Sequence, residues 1–459
     1  MLDLSSIAQV VRARMVGGNA PVARVCTDSR SIRPGDLFIA LRGDNFDGQD
    51  YADAALASGA MAVMVTDIER VKARDARVLM VDDTRLALGT LAAWWRGRFD
   101  IPVIAVTGSN GKTTVKEMIA SCLRIALGEQ AVLATTGNLN NDIGVPLTLL
   151  QMEARHRCAV IEMGMNHAGE IAYLCRMARP TVAVIINAGV AHLGELGSRE
   201  AIAHAKGELL EELMPGAVAI INADDAYADY WRGLTAGKKV VDFGAQTDAA
   251  VSAHYELAES GSLLTVRCPH SVFLAMVGIP GLHNVSNALA AIAVCLALRL
   301  KPSAIAAGLS AYRGVKGRLQ QKRMPGGCVL IDDTYNANPD SMRAAISVLA
   351  TAGGSRLLVL GDMGELGDEG PALHEAIGTF ARQSGIDRLF ALGELARHAA
   401  SGFGKDARHF LSLDELLSAL DEAATAGTTV LVKGSRFMRM ERVVDHLSRE
   451  NIKTAGGGH

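Results

Sequence analysis

The 459-residue sequence lacks the marks of several large protein classes. It has no excess of either charge. Its 46 basic and 49 acidic residues leave a net charge of −3, which argues against nucleic-acid binding and a polybasic membrane protein. It has no CxxC pair. The seven cysteines (Cys26, Cys122, Cys158, Cys175, Cys268, Cys295 and Cys328) are scattered, odd in number and mostly inside apolar runs. Buried free thiols in the cytoplasm are therefore expected, without a disulfide or metal framework. No stretch reaches about 18 uninterrupted apolar residues. The nearest, "VSNALAAIAVCLALRL", is broken by Ser286, Asn287 and Arg299 and reads as a buried helix. The opening "MLDLSSIAQVVRARM" carries an acid near its start and no apolar h-region, so no secretory signal is expected. There is no short repeat, no low-complexity tract and no guanine-reading NKxD-type tetrapeptide.

What remains is an ordinary globular composition, 49% hydrophobic and 21% charged, on a chain long enough for two to four domains. Three blocks emerge. Residues 1–98 hold short strand candidates ("DLFIAL", "AVMVT", "RVLMV") and end in the amphipathic helix "TRLALGTLAAWWRGRF". Residues 99–314 alternate strand and helix, with strands at 103–107, 132–136, 159–163, 182–186 and 217–221. Apolar throughout, these strands imply a parallel sheet covered on both faces. The stretch 250–277 reads as antiparallel. Residues 315–459 resume the alternation, with strands at 328–333, 357–362, 388–392 and 429–435, and close on a tail, "TAGGGH", expected to lack fixed structure. The fold class is α/β in three domains.

"VIAVTGSNGKTT" places a glycine-rich loop between a strand and a helix. The usual phosphate loop is GxxxxGK[ST], but here Val106 stands where the first glycine would fall. The physics of the cradle survives. Gly108 and Gly111 let backbone amides of the Ser109–Asn110 turn face inward, and the helix start adds its positive end. Lys112 can reach terminal phosphates; Thr113, followed by Thr114, can offer a hydroxyl to Mg²⁺. A nucleotide is therefore expected here.

Other candidates cluster at strand ends. Glu162 closes an apolar strand, where it is either a hard oxygen ligand for Mg²⁺ or a solvated strand-end glutamate. His192 lies just past another strand and suits a second metal contact. Lys206, in "AIAHAKGELLEEL", reads on its own as a lysine on a solvated helix face. Asn284 and Asn287 open a helix; their amides either read an adenine edge or cap the helix. Arg318 opens the third block, and Asp332 and Asp333 end a strand in a way that suits a ribose hydroxyl or a cation.

Taken in order, "TGSNGKTT", "GNLNNDIGVPLT", "EMGMNHAGEI", "NAGVAHL", "AKGEL", "GLHNVSNALAA", "IDDTYNANPDSM", "LGDMGELG" and "LVKGSRFMRME" resemble the Mur ligase family across nearly the whole chain. "NANPDSM" is similar to the branch that adds D-alanyl-D-alanine to UDP-N-acetylmuramoyl-tripeptide, and the DNPR-type motif of the diaminopimelate-adding sibling is absent. The resemblance implies a central P-loop ATPase domain, a C-terminal Rossmann-like domain and a small N-terminal UDP-binding domain. It implies ATP and two Mg²⁺ ions, with Thr113, Glu162, His192 and a carbamylated Lys206 as metal contacts. Gly108 to Thr114, Asn284, Asn287, Arg318 and Asp333 would meet ATP. Ser29, Arg30, Asn138 and Asn141 would meet the UDP-sugar substrate. Tyr335 replaces a phosphate-binding lysine of some relatives. A cytoplasmic monomer is the family expectation. The third block is expected to close on the nucleotide.

Overall fold

The structure is a computed structural model that describes residues 2–43, 45–73, 75–190, 193–324 and 327–454. His192 and the end of the glycine-rich tail lie outside the described residues.

Four of the five strands expected in the central block begin and end within two residues of their sequence positions, and the fifth, 103–107, matches at both ends. They join a six-stranded, all-parallel sheet in the order Val132–Ala134, Cys158–Glu162, Val103–Thr107, Val182–Ile185, Val218–Asn222, Lys239–Phe243. Alternate side chains feed opposite faces, as a two-residue period requires. Ile104 and Val106 join the core formed with the helices Lys112–Leu127 and Leu282–Ala297. Val103 and Ala105 join the core on the other face, with the helices Glu170–Ala178 and Arg199–Glu211. The sixth strand, Lys239–Phe243, was not apparent in the sequence. It is an edge strand, half exposed and polar at both ends of "KVVD", so it lacks the apolar run that marks its neighbours.

The chain departs to either side of Val103–Thr107, so strand order reverses there. In open parallel sheets the ligand crevice forms at such a point, outside the carboxyl ends of the strands. The glycine loop follows this strand.

Residues 252–277 form the expected antiparallel unit, three strands joined by tight turns. The C-terminal sheet has six strands in the order Gln320–Arg323, Val329–Asp333, Thr428–Lys433, Ser355–Gly361, Arg388–Leu392, Ala407–Phe410; only the first is antiparallel. The N-terminal sheet has five strands, ordered Arg14–Val16, Val78–Met80, Ala62–Val65, Asp36–Ile39, Arg24–Cys26. No helix among the described residues is long and apolar enough to cross a membrane.

The N-terminal unit is fastened to the central one by Arg96, at the end of the helix Thr84–Arg96. Its buried guanidinium donates to the carbonyls of Phe99 (2.5 Å) and Ile101 (3.3 Å) in the connecting segment. It also donates to Ala178 (2.9 Å) and Arg179 (3.3 Å) at the end of a central helix. Trp95 adds an indole hydrogen bond to the Met152 carbonyl at 3.1 Å.

In the C-terminal unit, His374 is fully buried and satisfied at both nitrogens. Nε2 accepts from the Met363 amide (2.9 Å), so Nδ1 carries the proton and donates to the Gly370 carbonyl (2.7 Å). Only the neutral ring can do both. Burial accordingly lowers its pKa from the ordinary value near 6.5. The unfolded chain then takes up the proton first as pH falls. This part of the stability is complete above pH 6.5 and is lost as pH drops toward the folded value, by up to about 1.4 kcal/mol per pH unit. Urea unfolding at pH 7.5 and 5.0 should show a smaller acid loss for His374→Asn than for the wild type. Equal losses would remove His374 from the account.

Candidate active site

The glycine loop leaves the fully buried strand Val103–Thr107 and enters the helix Lys112–Leu127 through Gly111, whose φ of 84° lies in the left-handed region. A β-carbon there would also come within 2.4 Å of the Asn287 Oδ1. Glycine is thus required twice over, by conformation and by space. No side chain caps this helix, so its first amides are left to an anion. The loop is braced from the next strand end. Asn187 accepts from the Ser109 amide through its carbonyl (3.0 Å) and from the Asn110 amide through Oδ1 (2.9 Å). Lys112 folds back over the loop, its Nζ donating to the carbonyls of Gly108 (2.7 Å) and Ser109 (3.3 Å). Burial lowers its pKa, and the nearby Glu162 carboxylate opposes that.

The loop forms one wall of a cavity of about 1900 Å³ at the junction of the three units. Asn138, Asn141 and Glu162 line it from the central unit, Asn284 and Asn287 from the long helix, and Arg318 and Asp333 from the C-terminal unit. Glu162 is only 2% exposed. Its Oε1 accepts from the Asn140 amide at 2.7 Å, while Oε2 is buried with no hydrogen-bond partner. The solvated strand-end alternative is therefore wrong. An orphaned carboxylate oxygen facing a phosphate loop is a place for a cation.

Lys206 needs the same correction. It does not sit on a solvated helix face: it is 1% exposed and makes no hydrogen bond or ion pair among the described residues. Burial, reinforced by the charge of Lys112, pushes its pKa far below the ordinary lysine value. His192, the other expected metal contact, lies outside the described residues. Among the described residues no three His, Cys, Asp or Glu side chains gather as a metal cluster. The donors that do fit a cation are the Glu162 carboxylate, the Thr113 hydroxyl and whatever anion Lys206 can become.

Asn284 bonds the Pro280 carbonyl through Nδ2 (2.7 Å) and receives the Asn287 amide on Oδ1 (3.1 Å), so both asparagines brace the helix entrance at the cavity wall. Burial pushes the adjacent His283 down to about 4, leaving a neutral imidazole. From the C-terminal unit, Arg318 donates to the Thr113 hydroxyl at 3.0 Å and stacks 4.1 Å above the Tyr335 ring. Asp333 is held by Lys433 (2.6 Å) and the Leu319 amide (3.1 Å); burial pushes its carboxyl up against the pull of that lysine. Ser29 and Arg30 do not line the cavity. They occupy a short turn at the sheet edge, with Arg30 paired to Asp28 at 2.8 Å.

Several residues at the site escaped the sequence reading. Asn338 and Asp340, at the start of the helix Pro339–Ala350, reach across to the central unit: Asn338 Nδ2 bonds Asn110 Oδ1 (2.9 Å), and Asp340 accepts from the Val190 amide (2.9 Å). Asn338 caps that helix, and sequence spacing gives no sign of its second partner. Arg85, paired with Asp142 at 3.1 Å, is the N-terminal unit's contribution to the cavity wall.

Three family models cover the chain in sequence: the Mur ligase family catalytic domain over residues 21–96, the Mur ligase middle domain over 106–295 and the Mur ligase glutamate ligase domain over 317–436. The chain belongs to the Mur ligase family. It is 41% identical to the UDP-N-acetylmuramoyl-tripeptide–D-alanyl-D-alanine ligase of Escherichia coli (strain K12), over 96% of this chain and 97% of that one. The crystal structure of MurF from Acinetobacter baumannii superposes with a TM-score of 0.90 at 36% identity, covering 97% and 98% of the two chains. MurF from Thermotoga maritima, solved in complex with ADP, superposes at 0.83 with 28% identity, covering 94% and 98%. This three-unit α/β architecture is the Mur ligase fold.

Proposed function

We propose that the chain is an ATP-dependent ligase that joins D-Ala-D-Ala to UDP-N-acetylmuramoyl-tripeptide, giving the UDP-pentapeptide precursor of peptidoglycan. It acts as a cytoplasmic monomer. The reaction rests on one observation. A phosphate loop and an orphaned buried carboxylate oxygen face one cleft shared by three units. The substrates follow from full-length similarity to relatives that bear this name.

A carboxylate is a poor electrophile at neutral pH. Attack of the tripeptide's terminal carboxylate on the γ-phosphorus of ATP gives an acyl phosphate and releases ADP. The D-Ala-D-Ala amine then adds to the acyl carbon, and the tetrahedral intermediate expels phosphate and a proton. The loop amides and Lys112 hold the phosphates in line and offset charge on the group in transfer. Arg318 supplies a second positive group from the C-terminal side. Asn284 and Asn287 would meet the nucleotide from the long helix.

Glu162 and Thr113 would hold Mg²⁺, which fits the unpartnered Oε2. When bound, it neutralises phosphate charge and polarises the transferring group. The neutral Lys206 amine is the form that adds CO₂; loss of a proton then leaves a carbamate anion, a suitable contact for a second cation. Contacts from the C-terminal unit to Asn110 and Thr113 span the cleft, and closure along them would favour the amine over water at the acyl phosphate.

Phosphate release should require all of ATP, Mg²⁺, UDP-N-acetylmuramoyl-tripeptide and D-Ala-D-Ala, with a UDP-pentapeptide as product. Release with UDP-dipeptide and a diamino acid instead would move the chain to the sibling that adds the third residue.

A further inference from the structure

We propose that Asn140 is a positioning residue for Glu162: its amide holds one carboxylate oxygen and so presents the other to the divalent cation. This rests on Glu162 being a metal ligand, as proposed above.

The contact has one possible polarity. A carboxylate only accepts, so the group 2.7 Å from Glu162 Oε1 is the Asn140 NH₂. Oε2, the other oxygen, is buried and has no partner. A glutamate with two equivalent oxygens can turn about its last torsion; one committed oxygen stops that rotation. Second contacts of this kind orient metal ligands elsewhere and tune affinity.

The backbone fixes where the amide sits. Asn140 donates its own N–H to the Asn138 carbonyl (2.7 Å) and accepts from the Gly164 amide (2.8 Å). Its side chain lies flat against Gly164, where a β-carbon would come within 3.1 Å of Cγ and Oδ1. Flanking residues pin the same loop. Asn141 Oδ1 caps the helix Gly144–Leu149 through the Gly144 amide (2.9 Å), and Asp142 pairs with Arg85 of the N-terminal unit. Glu162 is held from below, its amide donating to the Thr135 hydroxyl at 2.9 Å. The loop expected to meet the sugar-peptide through Asn138 and Asn141 thereby also sets the metal ligand.

The test uses Asn140→Leu, which keeps the branched shape and removes the donor without adding a charge or a metal ligand, beside Asn140→Ala. Mn²⁺ affinity in the presence of ADP is read by electron paramagnetic resonance. Both variants should weaken Mn²⁺ binding about tenfold to a hundredfold, with the melting temperature unchanged and KM for the UDP-tripeptide within about twofold. Wild-type Mn²⁺ affinity in Asn140→Leu, or a rise confined to KM for the UDP-tripeptide, would overturn the proposal. Glu162→Gln separates the two claims: if it binds Mn²⁺ normally, the metal role of Glu162 is what fails.

Discussion

Lys206→Ala should lower ligase activity more than about a hundredfold, because the proposed carbamate would hold a second cation where a triphosphate and a carboxylate meet. The structure gives the reason a lysine can serve there. Its amine is buried, has no partner among the described residues and is pushed toward the neutral form by burial and by Lys112. A neutral amine reacts with CO₂; an ammonium does not. Partial rescue of Lys206→Ala by a short carboxylic acid such as acetate is expected, since the acid restores the charge without the tether. Wild-type enzyme labelled with ¹³C-bicarbonate should show a carbamate carbon resonance that is missing in the variant. A fully active Lys206→Ala enzyme, or no resonance in active wild type, would end the carbamate assignment.

The second large effect is at Lys112. Lys112→Met keeps most of the side-chain length and removes the charge from the mouth of an uncapped helix. By analogy with the loss of one preorganised donor, kcat should fall by about a hundredfold to a thousandfold. Binding of the UDP-tripeptide, measured by calorimetry without nucleotide, should stay within about threefold. A kcat within threefold of wild type would mean that the loop amides alone carry the phosphates.

The sequence was legible where one physical signal dominated. Strands such as Val103–Thr107 and Val182–Ile185 are buried on both faces and read as unbroken apolar runs. Edge strands such as Lys239–Phe243, Gln320–Arg323 and Ala407–Phe410 are half exposed and mixed in composition, so they carried no such signal. The phosphate loop was legible despite its missing first glycine, because strand, turn, lysine and helix start remain in order. Lys206 could be singled out only by resemblance. Its burial depends on how the helix Arg199–Glu211 packs, and helix period alone does not give that. Asn140 sits among Asn138 and Asn141 in one loop, and spacing does not tell which amide turns inward to Glu162.

Arg96 has a mechanical consequence. One guanidinium ties the connecting segment and two units through four carbonyls, a fastening that would let those units move as one frame. The C-terminal unit leaves that frame through a stretch with glycines at positive φ, Gly314 and Gly317. On the proposed closure, the C-terminal unit is the arm that moves and the first two units are the anvil. A pair of fluorophores spanning the first two units should report a constant distance through turnover, while a pair spanning the last two should follow the stroke.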